Sequence, residues 1–266
     1  MRVATFNLHA GVDGWGRPTG GLEHAVGLGA DVRICPETWR GDHGDDHYQE
    51  LATRLSMQGA FAPLATGTRQ TNGAGGRSWQ PFLAHLTGDR GLFFNEHREL
   101  TKAQLVGHAD LDETQRGQWG LKLLPRFAIE EIHVEPLGRL PRERVSRAVI
   151  VARLHAEGHS FYVLAVHGAH ITHGSFLQYR RVNEIVSRFE PSLPVILAGD
   201  FNCWRPLLRL FLPGWRTLVR ARTWPARLPH SQIDHILGRG PWQVRGGGAS
   251  DGGSDHRALY ADVTLT

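Results

Sequence analysis

Apolar and polar positions alternate with a period of two over many short runs of this chain, and with a helical period over only three. Arg2 to Leu8 alternates and is rich in β-forming residues, so it predicts an opening strand that ends near Asn7. After the Gly-rich stretch from Gly11 to Gly21, Leu22 to Leu28 has a short helical pattern, and Ala30 to Glu37 predicts a second strand finishing in a carboxylate. Asp45 to Met57, with Leu51, Leu55 and Met57 on a polar background, predicts a helix. Thr66 to Ser78 has loop composition, Trp79 to Leu86 and Gly91 to Asn95 read as strands, and Glu96 to Gln118 has no period that assigns it. Gly120 to Pro125, Phe127 to Val134, Arg147 to Leu154 and Phe161 to His167 are successive β-rich runs between turn residues, the pattern of a meander. Phe176 to Phe189 carries an apolar stripe and predicts a helix. The run from Pro194 reads Pro-Val-Ile-Leu-Ala-Gly-Asp-Phe-Asn-Cys-Trp, a buried strand broken by Gly199, and Gln232 to Leu237 and Ala258 to Leu265 are the last strands.

Strands and helices mix without strict βαβ alternation, so the expectation is an α/β (α+β) fold of two mixed sheets packed together with helices outside. At 266 residues and 41% hydrophobic content the chain suits one sizeable core, and neither an internal repeat nor a linker divides it, so a single domain over 1–266 is expected. No apolar run approaches the ~20 residues of a membrane span, and no charged-then-apolar leader precedes Val3. Two cysteines, Cys35 and Cys203, make no disulfide framework and are expected to be buried, non-catalytic thiols. The expectation is a soluble, cytoplasmic monomer with no protein partner indicated. The formal charge of +4 comes from arginine, since lysine occurs only at Lys102 and Lys122, and arginine's planar fork leans toward anionic partners.

Polar residues recur at the ends of the expected strands: Asn7, Glu37, His167, Asp200 with Asn202, Asp234, and Asp255 beside His256. On extended backbone Asp200 and Asn202 share one face, with Phe201 turned into packing. Several such endings in one chain suggest strands converging on one rim. In order, Thr-Phe-Asn-Leu, Pro-Glu-Thr, Val-His-Gly, Gly-Asp-Phe-Asn, Ile-Asp-His-Ile and Ser-Asp-His closely resemble the endonuclease/exonuclease/phosphatase superfamily of deoxyribonuclease-like phosphoesterases, over nearly the whole chain. Thr223-Trp224-Pro225-Ala226 is similar to a Thr-aromatic-Pro stretch of small bacterial members.

The resemblance implies a four-layer α/β/β/α sandwich, a site at one end of both sheets, and phosphoester hydrolysis assisted by Mg2+ or Mn2+. Hard cations prefer carboxylate and amide oxygens, which suits Asn7, Glu37 and Asp255 as ligands. Asp200 would activate the attacking water and Asn202 would hold it or a phosphate oxygen in line. His167 and His256 would donate hydrogen bonds to the phosphate or protonate the leaving oxygen, and Asp234 would orient His256. Arg147 could contact phosphate through paired donors.

Two positions depart from the family pattern. Pro36 stands where relatives usually have glutamine, and His9 stands where some nucleases have an acidic ligand, which points to a single-metal or altered site. His167, His170 and His173 recur every third residue, a zinc-like spacing that does not place all three on one face. His43 and His47 with Asp42, Asp45 and Asp46 read as a solvated loop and helix start. Arg205, Arg209, Arg216, Arg220, Arg222 and Arg227, interleaved with Trp204, Trp215 and Trp224, form a mixture able to track phosphates and stack bases, with Trp204 and Trp224 as substrate contacts. A nuclease or phosphodiesterase acting on DNA or RNA leads. Behind it stand an enzyme for a small phosphorylated metabolite or lipid headgroup and a non-hydrolytic protein on the same scaffold.

Overall fold

The computed structural model describes residues 1–12, 19–44, 46–71, 113–141, 143 and 145–266. The strands are β1 (Arg2–Thr5), β2 (Val32–Gly41), β3 (Ala60–Thr71), β4 (Glu113–Pro125), β5 (Ala128–Gly138), β6 (Arg147–Ala156), β7 (His159–His167), β8 (Val195–Asp200), β9 (Arg216–Thr217), β10 (Asp234–Arg239), β11 (Trp242–Asp251) and β12 (Arg257–Leu265). Among the described residues the α-helices are α1 (Gly21–Gly27), α2 (His47–Leu55), α3 (Phe176–Val186) and α4 (Arg205–Phe211). The strands form two six-stranded mixed sheets, β11-β12-β1-β2-β4-β3 and β5-β6-β7-β8-β10-β9.

Alternation along the strands sorts side chains into three apolar layers. Val3, Val32, Ile34, Ile150, Val163, Ala165, Ile196, Ala198 and Ile236 fill the space between the sheets. Leu164, Val166, Leu197 and Leu237 face the other way, against Tyr179, Val182 and Ile185 of α3. Phe6, Cys35 and Leu124 pack against Ala25 of α1 and Leu51 of α2. The architecture is the expected α/β/β/α sandwich with helices outside.

Each sheet has one parallel pair, β1 with β2 and β7 with β8. Parallel strands end at the same edge, so the C-terminal ends of each pair come out together. Antiparallel neighbours reach those edges with their N-terminal ends: β10 beside β8, and β12 beside β1. This topology brings strand ends from far along the chain to one rim.

Several element expectations need correction. Thr66 to Thr71 is the end of β3 rather than loop; Pro63 sits at a register shift of this edge strand, where a missing N–H is tolerated, and interrupts the β signal. Gly120 to Pro125 belongs to the first sheet as part of β4, so only β5, β6 and β7 form the meander. β11 was not foreseen because Gly246, Gly247 and Gly248 give it turn composition; a Cβ at Gly247 would approach Tyr260 O to 2.8 Å. The strands expected at Trp79 to Leu86 and Gly91 to Asn95 lie outside the described residues. No described helix is long and apolar enough to cross a membrane.

Candidate active site

In β7, β8 and β10, the inward-facing parity that carries Val163, Ala165, Ile196, Ala198 and Ile236 continues to His167, Asp200 and Asp234. The register places His167 beside Asp200 and Asp200 beside Asp234, a row of three polar groups across three strands. All three are buried. Gly199 permits the close pairing that aims Asp200: its φ is +147°, and a Cβ there would meet Val166 O at 1.8 Å.

The turn after Asp200 is tied down at every residue. Asp200 O accepts from Gly168 N (2.8 Å), and Phe201 N donates to Ile233 O (2.9 Å). Tyr179 donates its hydroxyl to Phe201 O, and His235 Nε2 contacts Cys203 O at 2.9 Å. Asn202 N donates to Asp200 Oδ1 (2.8 Å), and Asn202 Nδ2 lies 3.4 Å from His167 Nε2 and 3.2 Å from Gly168 O. Asp200 and Asn202 therefore do meet, but through a left-handed turn with Asn202 at φ 48°, not on extended backbone.

From the other sheet, Asn7 follows β1 and Glu37 lies within β2. Pairing between β2 and β4 skips from Cys35 to Thr38, and Glu37 has φ 56°. This bulge turns Glu37 inward, and Pro36, with no N–H to give, occupies the unpaired step. Asn7 Nδ2 is within 3.0 Å of both Glu37 Oε1 and Asp200 Oδ2, linking the two sheets. Asn7 Oδ1 accepts from His9 N at 2.9 Å.

His256 enters just before β12. Its Nδ1 is 2.8 Å from Asp234 Oδ2, and its Nε2 is 3.8 Å from Asp200 Oδ2. His167 Nε2 is 3.7 Å from both Glu37 Oε1 and Asp200 Oδ2. Both imidazoles thus flank Asp200.

Burial and neighbours separate the ionisable groups. Burial and the adjacent Asp234 push the Asp200 carboxyl up to about 7. Burial, reinforced by Arg147 and His256, holds His167 well below the usual imidazole range. Burial alone would also depress His256, but Asp234, Asp255 and Asp200 outweigh it and hold it well above that range. His9 behaves similarly: burial is overcome by Asp255 and Glu37. Asp255 is accessible from the cleft yet closely surrounded by protein; burial would raise it, but His9 and His256 bring it below the usual carboxylate value.

These groups line a cleft of about 490 Å³ with Arg147, Trp204 and Trp224 on its walls. All the site residues expected from sequence lie in or directly behind it. Glu37, His167 and Asp200 converge, as do Asp200, Asp234 and His256, with ligand atoms of each trio within 4.8 Å; Asp255 belongs to neither trio. His170 and His173 line the mouth, and the three-histidine spacing yields no converging trio among the described residues. Asp46 caps α2 by accepting from Gln49 N (2.9 Å), and Asp42 and His43 are exposed as expected, but His47 is buried with its ring against Gly11 rather than solvated. Burial raises the thiols of Cys35 to about 11 and Cys203 to about 12, so neither is a ready nucleophile.

Sequence reasoning missed Trp119 and Glu143. Trp119 packs its ring 5.1 Å from that of His167, and Glu143 Oε2 accepts from Arg147 Nη2 at 3.2 Å while Oε1 lies 2.5 Å from His173 Nδ1. Trp119 adjoined the unassigned stretch ending at Gln118. Glu143 was the one acid in an arginine-rich segment, a signal that was available.

The family model "Endonuclease/Exonuclease/phosphatase family" matches residues 37–256. The chain belongs to this family. An endonuclease/exonuclease/phosphatase family protein from Leptotrichia buccalis superposes with TM-score 0.67 at 12% identity, covering 100% of both chains. A Bacteroides thetaiotaomicron mannosyl-6-phosphatase does so with TM-score 0.63 at 14% identity, again covering 100% of both. The human Nocturnin catalytic domain, solved with sulfate, gives TM-score 0.60 at 16% identity over 100% of this chain and 94% of that one. No curated protein matches by sequence. Family and fold together support a phosphoesterase.

Proposed function

We propose that this chain is a divalent-metal-dependent phosphodiesterase that cleaves nucleic acid by in-line attack of a water activated by Asp200. The observation that carries this reading is Asp200 itself: a buried carboxylate with its proton affinity raised to about 7, fixed by Asn7 and the Asn202 turn at the floor of an open cleft. A base of that strength is matched to neutral pH.

The donor set fits a hard cation. Glu37 Oε2 is buried without a hydrogen-bond partner, an arrangement that costs free energy unless an ion or similar group completes it. Glu37 and Asp255 would hold Mg2+ or Mn2+, which would supply Lewis-acid polarisation and charge neutralisation at the phosphoryl group, and Asn7, its Nδ2 on Glu37 and Asp200 and its Oδ1 accepting from His9 N, would brace the ligand set unless its amide turns to offer oxygen. Asp200 takes the proton of the attacking water, and Asn202 orients that water. His256, kept protonated by Asp234, donates Nε2–H to a phosphoryl oxygen, while neutral His167 steadies the same group beside Asn202. Arg147 is buried with Nε and Nη1 unpartnered, donors suited to a non-bridging oxygen. Trp204 and Trp224 present exposed rings at the cleft for bases to stack on.

The deciding experiment incubates the protein with Mg2+ or Mn2+ against plasmid, a single-stranded oligonucleotide, bis(p-nitrophenyl) phosphate and a panel of phosphomonoesters that includes mannose 6-phosphate. Chelator-sensitive diester cleavage that disappears in Asp200→Asn is expected. The mannosyl-6-phosphatase with the same fold favours a second reading, which phosphate release from monoesters without diester cleavage would establish. Inertness toward every substrate despite bound metal would leave the non-hydrolytic reading.

A further inference from the structure

Beside the catalytic cleft lies a second one, about 560 Å³, and Trp204 is a wall of both. Its lining includes Arg205, Arg220, Arg222, His230 and Gln232 and contains no carboxylate. Arg220 and Arg222 are both exposed and line the cleft with Ala221 between them, while Val219 and Thr223 on either side are buried. The segment is held in place: Gln232 Nε2 donates to Val219 O (3.1 Å), and Thr223 Oγ1 accepts from Ile233 N and Asp234 N (both 3.3 Å). Arg205 opens α4 directly after Trp204. Among the described residues none of these three arginines forms an ion pair; Arg222 makes one long contact, Nη1 to Pro229 O at 3.5 Å. Other surface arginines do pair with acids, as Arg2 does with Asp262 and Arg54 with Glu23, and others contact only neutral groups, as Arg239 does with Asn183 and Arg245 with Thr264.

We infer that this second cleft is an anion groove that takes the strand of a single-stranded nucleic acid on one side of the scissile phosphate, with a base stacked on Trp204. The inference rests on the phosphodiesterase reading and extends it to the substrate's strandedness and path. Three forked cations without acids in one concavity fit successive backbone phosphates. Trp204 is 52% exposed between the two clefts, where only an unpaired base could lie against it. A base pair keeps its faces inside the duplex stack and could not do so.

Binding of fluorescein-labelled dT10 to the Asp200→Asn protein, with Mg2+ present and the strand left intact, tests this across a salt series. Arg220→Gln/Arg222→Gln is expected to weaken binding and to lower the slope of log K against log salt by about 1.4. Arg220→Lys/Arg222→Lys should keep the slope. Trp204→Ala should weaken dT10 between about fivefold and a hundredfold and an abasic strand of equal length far less. Both arginines are exposed, and melting curves check that each variant is folded. Unchanged affinity and slope in the glutamine pair would overturn the groove. Equal binding of a duplex would overturn the single-stranded assignment, and equal binding of the abasic strand would overturn stacking on Trp204. If the wild-type protein cleaves bis(p-nitrophenyl) phosphate but its Asp200→Asn form binds no dT10 at low salt, the groove fails and hydrolysis stands. If dT10 binds with the expected slope but no diester is cleaved, hydrolysis fails and the groove stands.

Discussion

Asp234 and His256 are joined by a 2.8 Å contact from Oδ2 to Nδ1, and that contact leaves the other imidazole nitrogen facing Asp200 from 3.8 Å. Asp234 therefore orients the His256 ring and favours its protonated form. Asp234→Asn should preserve the fold and lower kcat by about 10²- to 10⁴-fold. It should also move the alkaline limb of the rate profile to lower pH, because His256 loses the carboxylate that holds its proton. A pH profile with an unshifted alkaline limb would contradict this.

In the proposed mechanism Asp200 sets the acidic limb. Its carboxyl is held near 7 by burial and by Asp234, so hydrolysis should rise as pH increases through that region, with bound cation drawing the limb downward. The sign for stability is the reverse: the folded state binds this proton more tightly than the unfolded chain, so ionising Asp200 destabilises the fold as pH rises from about 4 to about 7. Asp200→Asn should abolish turnover while melting no lower than wild type at pH 7.5. Calorimetry beside an activity assay checks both halves.

Glu37 has one carboxylate oxygen bound by Asn7 and one without a partner. Glu37→Gln should weaken Mn2+ binding by about tenfold or more, read directly by titration calorimetry and without reference to activity. Unchanged Mn2+ affinity would place the ion elsewhere.

Arg147 is braced by Glu143 and lies with its guanidinium 5.4 Å from the Trp119 ring centroid. Lysine cannot reproduce the planar fork or the stacking, so Arg147→Lys should raise KM several-fold with a smaller effect on kcat. Steady-state kinetics on the small diester separates the two parameters.

Lys122 is fully buried on β4, its ammonium donating to Tyr48 O and lying 4.0 Å from the Tyr48 ring centroid. Burial lowers it to about 8 from 10.5. The unfolded chain therefore binds more protons between those values, and stability should rise with pH across that window. Lys122→Met should remove this dependence and relieve the cost of a buried charge at pH 7. Urea unfolding at pH 7 and pH 10 measures both effects.

What could be read from sequence was whatever depended on alternation and on a polar group at a strand end. Ile196, Ala198 and Asp200 share a face by period two, so the position of Asp200 followed once the strand was recognised. Glu37 is different: strict alternation from Ile34 would turn it outward, and it reaches the site through a bulge that no local pattern announces. Asn202 likewise depends on a left-handed turn held by Tyr179, His235 and Gly168, each distant in sequence. Trp119 and Arg147 meet only because β4 and β6 belong to facing sheets, and β11 was hidden by glycines whose purpose is close approach to β12.

The pairing of β1 with β12 has a consequence for the birth of the molecule. Asn7 and Asp200 are 193 residues apart, a gap that takes about 10–40 s to synthesise, and β1 must wait longer still for its other neighbour. Until the stretch around His256 leaves the ribosome, the nascent chain carries the acidic groups of a phosphoesterase without the assembled centre. The two sheets therefore share one late closing step, and the centre forms only after both the first strand and the last have been made.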